Sequence, residues 1–178
     1  MNTIKFDKKN VKVIAHRGLS GIETENTNSA FVAAGNRSYY GIETDIHVTP
    51  DEKFIVIHDE LTVRVSDTVV NVEETPYDEL RNIRLNNICK YDAEGLCKND
   101  VRGDIILPNL AEYAGICRKY EKKCILELKR RFETKYIKMV VEELKALNYL
   151  ENVVFISFEF DNLVDLLALP IKNSRKSY

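Results

Sequence analysis

Glu43 and Asp45 stand two residues apart in Ile42-Glu43-Thr44-Asp45-Ile46-His47-Val48, a run that alternates along its length. In an extended strand both carboxylates point to one face. Two like charges on one face repel unless a cation or a proton sits between them. Taken alone, the pair reads as a solvated strand face. Glu127 and Lys129 repeat the same spacing in Cys124-Ile125-Leu126-Glu127-Leu128-Lys129, which tips the reading toward a metal site. Three carboxylates and water suit one hard divalent cation, Mg²⁺ or Ca²⁺.

His16 and His58 each follow an apolar strand-like run, and each is beside a charged residue, Arg17 or Asp59. A lone histidine there is more often a packed side chain. A pair titrating near neutrality can serve as general base and general acid. Arg17 offers a planar fork for phosphate oxygens and Lys129 a point charge. Carboxylates for a cation beside cations for an anion imply an anionic substrate that bridges both, and a phosphodiester fits. His47 shares the face of the two acids but lies beyond them toward a turn, and reads as structural.

Certain elements must carry these groups. Residues 11–15 are β-branched and apolar and read as a buried strand. A helix is expected over 27–40, entered at Glu25-Asn26 and ended by Gly41. Strands are expected at 42–48 and 54–57. The turn Thr49-Pro50-Asp51-Glu52-Lys53 between them is too short for a crossover helix, so they form either a hairpin or a crossover without a helix. Thr75-Pro76 starts a short helix through about Arg84, and 89–104 reads as a polar loop. A helix follows from Asn109, with Leu110, Tyr113, Cys117 and Tyr120 on one face. Then come a strand at 124–129, a helix marked by Ile137, Val140, Val141, Leu144 and Leu147, and a strand at 153–158. A last helix, capped by Asp161, runs to Ala168. This alternation is an α/β parallel pattern, with the polar groups at the strand ends, where a (β/α) barrel keeps its chemistry.

The 178 residues suit one domain, 1–178, with 44% hydrophobic and 30% charged residues and a net charge of −2. The pI near 6.0 gives no basic footprint for nucleic acid. No apolar run approaches the roughly 20 residues of a transmembrane segment. The Lys-rich start lacks the apolar core of a signal peptide, so a cytoplasmic location is expected. Cys89, Cys97, Cys117 and Cys124 form no C-x-x-C pair and read as free thiols.

The motifs His16-Arg17-Gly18, Glu25-Asn26-Thr27 with Ala30-Phe31 and Ala34, Glu43-x-Asp45, Thr49-x-Asp51, Val56-x-His58-Asp59, Arg64, Pro108-x-Leu110-x-Glu112 and Glu127-x-Lys129 resemble, in order and spacing, the glycerophosphodiester phosphodiesterase family of phospholipase-C-like barrels. The resemblance runs from about Val11 to Phe158. It implies a (β/α)8 TIM-barrel fold and metal-dependent hydrolysis of small glycerophosphodiesters to an alcohol and glycerol 3-phosphate. It implies His16 and His58 as the catalytic acid–base pair, and Glu43, Asp45 and Glu127 as ligands of one divalent cation. It implies that Arg17 and Lys129 bind the substrate phosphate. The substrate's own glycerol 2-hydroxyl would attack phosphorus, and 59–104 would be a small insertion over the active-site face.

The sequence departs from the family pattern at Thr24, where proline is usual, and at Glu52, where glycine usually follows Asp51. A closed barrel typically needs about 250 residues, so an incomplete one with the first five or six strands is expected. A homo-oligomer or a partner would then cover the open edge. The alternative is a catalytically silent remnant acting in binding or assembly.

Overall fold

A computed structural model of the chain describes residues 9–87, 90–91, 97–98 and 102–170. The elements in order are β1 (Ile14–Ala15), α1 (Asn28–Gly35), β2 (Gly41–Val48), β3 (Phe54–Val56), α2 (Tyr77–Leu80), β4 (Lys90–Tyr91), β5 (Cys97–Lys98), α3 (Leu110–Lys119), β6 (Lys123–Leu128), α4 (Thr134–Ala146), β7 (Val153–Ile156) and α5 (Phe160–Ala168). The fold is α/β, of the expected barrel type but open, with one sheet ordered β1-β2-β6-β7 and β3 added to β2.

β2 pairs in parallel with β1 at Gly41–Ile42 and with β6 from Gly41 to Ile46. β3 pairs antiparallel with the far end of β2, Ile46 to Val48. The alternatives left open for the short turn therefore resolve as a hairpin. Because β1 and β6 both pair at Gly41, and β3 and β6 both pair at Ile46, β1 and β3 share one edge of β2. The strand ends that carry His16 and His58 are thus held along one strand.

Strand parity divides the chemistry from the core. Ile42, Ile46, Leu126 and Leu128 join Phe31, Leu110, Tyr113, Ile137, Val140 and Leu144 in one apolar cluster. The intervening residues, Glu43, Asp45, His47 and Glu127, point the other way. Phe31 meets Tyr113 edge to face, with ring centroids 5.1 Å apart, and the Tyr113 hydroxyl donates to the Ile42 carbonyl at 2.6 Å. α1 and α3 are thereby locked under β2. Asn109 caps α3 reciprocally with Glu112, a pattern that fixes the helix start.

Several expected elements differ. The helix expected over 27–40 is Asn28–Gly35, closed by Asn36, and Gly41 opens β2 instead of ending the helix. A Cβ on Gly41 would sit 2.8 Å from the Lys123 carbonyl and 2.7 Å from Ile125 Cδ1, so the residue is set by close strand packing. β1 is only two residues long, because β2 begins opposite Ile14. Glu159, not Asp161, caps α5. In the stretch read as a loop from Cys89 to Asp104, Lys90–Tyr91 and Cys97–Lys98 form an antiparallel ladder; much of the remainder lies outside the described residues. Segment 59–87, together with Ile105 and Leu107, packs a second apolar cluster around Ile55, Ile57, Leu80 and Leu85.

Among the described strands β7 has β6 as its single partner. Beside it Phe158, Phe160 and Leu167 are 92%, 75% and 84% exposed, so the sheet has an apolar open side. No helix among the described residues is long and apolar enough to cross a membrane.

Candidate active site

The sheet brings the expected groups to one end. Asp45 and Glu127 face each other directly in the β2–β6 register. Glu43, Asp45 and Glu127 are all buried and present carboxylate oxygens within 4.8 Å of one another. Lys129, just past β6, donates to Glu127 Oε1 at 2.8 Å and lies 3.6 Å from Asp45 Oδ1.

The turn after β1 supplies the opposite wall. Arg17 and Gly18 have φ of +55° and +77°, a conformation that favours glycine. A Cβ on Gly18 would lie 2.7 Å from Ala30 Cβ, so the turn rests against α1. This sharp bend aims the Arg17 backbone N–H at Glu43 Oε2, 2.7 Å away. The Arg17 side chain donates to Glu25 Oε1 at 3.0 Å, and its Nε lies 3.9 Å from Asp45 Oδ2. His16 Nε2 is 3.8 Å from Glu43 Oε2, on a side chain 68% exposed. Asn26, at φ +52°, donates to Asp45 Oδ2 at 2.9 Å and accepts from Thr44.

His58 follows β3, and its Nδ1 is 2.6 Å from Asp59 Oδ1. Burial works to raise the Asp59 pKa, but hydrogen bonds from Arg64 and His58 overcome it and lower it. An ionised carboxylate only accepts, so Nδ1 carries the proton and Nε2 is free to exchange one. His47 is buried, with Nδ1 2.7 Å from Glu73 Oε1 and Nε2 3.1 Å from the His58 carbonyl. It braces the strand that delivers His58, in keeping with the structural reading. Three residues that hold the site received no such role from the sequence: Asn26 on Asp45, Glu25 on Arg17, and Arg64 on Asp59. Glu25 and Asn26 belong to a helix entry signal and, with Arg64, to the motifs of the resemblance, but neither pattern names the partner each one holds.

The electrostatics follow from crowding three buried carboxylates together. Burial, then repulsion from Asp45, pushes the Glu43 carboxyl up to about 7 despite the Arg17 N–H. Burial also raises Asp45, against the pull of Asn26, His58 and Lys129. Asp45 Oδ1 is a buried acceptor and Arg17 Nε a buried donor, each without a hydrogen-bond partner. Leaving such groups unpaired costs about 1–3 kcal/mol each. An acceptor among three carboxylates that has only the long Lys129 ion pair fits a hard cation, and a guanidinium donor that makes no hydrogen bond beside it fits an anionic oxygen.

Comparison with known proteins identifies the family. Residues 16–168 match the model of the glycerophosphoryl diester phosphodiesterase family. The chain is 32% identical over 155 residues to the protein YqiK of Bacillus subtilis, covering 85% of this chain and 60% of that one. It is 31% identical over 160 residues to a glycerophosphodiester phosphodiesterase of Caldanaerobacter subterraneus, covering 86% and 60%. Among solved structures, an Oleispira antarctica phosphodiesterase in complex with sn-glycerol-3-phosphate superposes with a TM-score of 0.74 at 28% identity, covering 90% of this chain and 63% of that one. The chain thus spans about 60% of the length of the relatives it matches along most of its own length.

Proposed function

Since this chain belongs to the glycerophosphoryl diester phosphodiesterase family, we propose that it hydrolyses small glycerophosphodiesters to an alcohol and glycerol 3-phosphate, a reaction of lipid metabolism. The observation that carries the proposal is that Asp45 Oδ1 and Arg17 Nε, both buried, make no hydrogen bond and meet only long ion pairs, to Lys129 at 3.6 Å and to Asp45 Oδ2 at 3.9 Å, which leaves one site with capacity for a cation and an anion together.

Glu43, Asp45 and Glu127 would hold one divalent cation, Mg²⁺ or Ca²⁺. Such an ion, when bound, supplies charge neutralisation at a non-bridging phosphate oxygen. Arg17 and Lys129 bind the remaining phosphate oxygens. His58, with its proton fixed on Nδ1 by Asp59, offers Nε2 to a reacting hydroxyl. His16, 68% exposed with Nε2 3.8 Å from Glu43 Oε2, serves as its acid–base counterpart. One histidine takes the proton of the glycerol 2-hydroxyl as that oxygen attacks phosphorus. The other protonates the departing alcohol, and water then opens the cyclic phosphate. The insertion 59–104 shapes access to this end of the sheet. The exposed side at β7 and α5 is where a second copy or another partner would seat. The free, buried Cys117 and Cys124 support a reducing, cytoplasmic setting.

The test is turnover of glycerophosphocholine and glycerophosphoethanolamine against analogues lacking the glycerol 2-hydroxyl. Release of glycerol 3-phosphate from the first pair, with the 2-deoxy analogues inert, is expected. Folded protein that releases none overturns the reading in favour of a silent remnant.

A further inference from the structure

Arg64 ends a short 3-10 turn, Thr62–Arg64, after the strand that delivers His58. Its guanidinium joins two carboxylates from different loops. Nε donates to Asp59 Oδ2 at 2.6 Å, and Nη1 pairs with Glu25 Oε2. Each carboxylate spends its other oxygen on a residue of the site. Asp59 Oδ1 meets His58 Nδ1 at 2.6 Å, and Glu25 Oε1 accepts from Arg17 Nη1 at 3.0 Å. Arg64 is therefore the middle member of a continuous chain, His58–Asp59–Arg64–Glu25–Arg17.

The fold gives this chain a task. β1 and β3 share one edge of β2, but their paired residues are separate, Gly41–Ile42 for β1 and Ile46–Val48 for β3. β2 holds both strands, but the two do not pair with each other among the described residues, so the turn bearing Arg17 and the strand end bearing His58 are joined directly through side chains. The planar fork of arginine can serve two carboxylates at once, whereas an ammonium is a point charge. Burial works to lower the Arg64 pKa, and the two carboxylates overcome it and raise it. The side chain is 40% exposed, so it is not a core element whose loss unfolds the protein.

We infer that Arg64 is a positioning residue that fixes His58 and Arg17 relative to one another through Asp59 and Glu25. The inference rests on the proposed reaction for what the two ends of the chain do, but the coupling between them can be measured without turnover. Misplacement of reacting groups by about 1 Å can cost on the order of 10²-fold in rate, so a bridge of this kind matters far beyond its own stability.

The experiment is ¹⁵N spectroscopy of the His58 imidazole, assigned with a His58→Gln control, in wild type, Arg64→Gln, Arg64→Lys and Glu25→Gln. Binding of glycerol 3-phosphate is measured calorimetrically on the same proteins, and thermal melts confirm that each is folded. Wild type is expected to show one tautomer, protonated at Nδ1. Both Arg64 variants should populate the second tautomer and bind glycerol 3-phosphate about tenfold or more weakly. The deciding variant is Glu25→Gln, because Glu25 has no hydrogen bond or ion pair to His58. A tautomer shift of the same sign there shows transmission through Arg64. An unchanged His58 spectrum in Glu25→Gln and Arg64→Gln overturns the inference. If the tautomer shifts while wild type itself binds no glycerol 3-phosphate, the positioning role stands and the proposed substrate falls.

Discussion

The carboxyl of Glu43 is buried against Asp45 and Glu127, and its pKa rises from the ordinary 4.5 to about 7. The folded chain therefore holds this proton more tightly than the unfolded chain does. Stability from that protonation is fully present below about pH 4.5 and is lost as pH rises through 7. Asp45 shifts in the same direction. The cation-free protein should accordingly melt at higher temperature as pH falls from 7.5 toward 5, and saturating Mg²⁺ or Ca²⁺ should flatten the trend. A cation-free melting temperature that falls over this range contradicts the burial argument. Glu43→Gln removes the repulsion and keeps an acceptor for the Arg17 N–H. It should stabilise the cation-free protein at pH 7.5 by about 1–3 kcal/mol while abolishing the gain on adding cation, both read from melts. At this scale the acids and Lys129 were legible because strand parity is a local rule. Asn26 and Arg64 were legible as motif residues, but the partners they hold were not. The contact of Asn26 with Asp45 needs a left-handed backbone, and Arg64 meets Glu25 across 39 residues, which no local period encodes.

Among the elements, the β2–β3 hairpin decides where His58 arrives, and its turn contains Glu52 at φ +59°. A non-glycine residue in that region costs about 1 kcal/mol. The Glu52–Lys135 pair that would be lost is half exposed and contributes little. Glu52→Gly should therefore raise stability by about 0.5–1 kcal/mol, measured by urea denaturation. A loss of that size would show that the pairing with Lys135 and Tyr136 outweighs the backbone strain. Asn109→Ala removes the α3 cap and a bond to the Tyr77 hydroxyl, and should cost about 1–2 kcal/mol in the same assay. The α3 start was legible from Asn109 following Pro108. The length of α1 was not, since alanine-rich residues favour helix up to Ala34 but only the packing of Gly41 on β6 says that the strand has begun. Turn length excluded a crossover helix but could not choose the hairpin, because strand direction is a tertiary property.

The molecule as a whole is an open sheet whose helix-facing side is packed and whose β7 edge and α5 face outward. The expectation of an incomplete barrel followed from the family resemblance set against the chain's length, and the exposed Phe158, Phe160 and Leu167 give it a location. Apolar exposure of this kind, beside a strand with one free edge among the described residues, favours association. Sedimentation velocity should show concentration-dependent self-association that the double substitution Phe158→Ser, Leu167→Ser reduces. A wild-type monomer that stays monomeric as concentration rises contradicts that expectation. The carboxylates, both histidines, Arg17 and Lys129 lie on β1, β2, β3 and β6 or the turns after them, away from the edge strand β7. The most direct test is release of glycerol 3-phosphate from glycerophosphocholine by wild type, with divalent cation or with chelator, beside Asp45→Asn and His58→Ala. Cation-dependent release in wild type that falls at least about 10²-fold in both variants is the result this account predicts. Release that survives chelation, or that either variant retains at the wild-type rate, would contradict it.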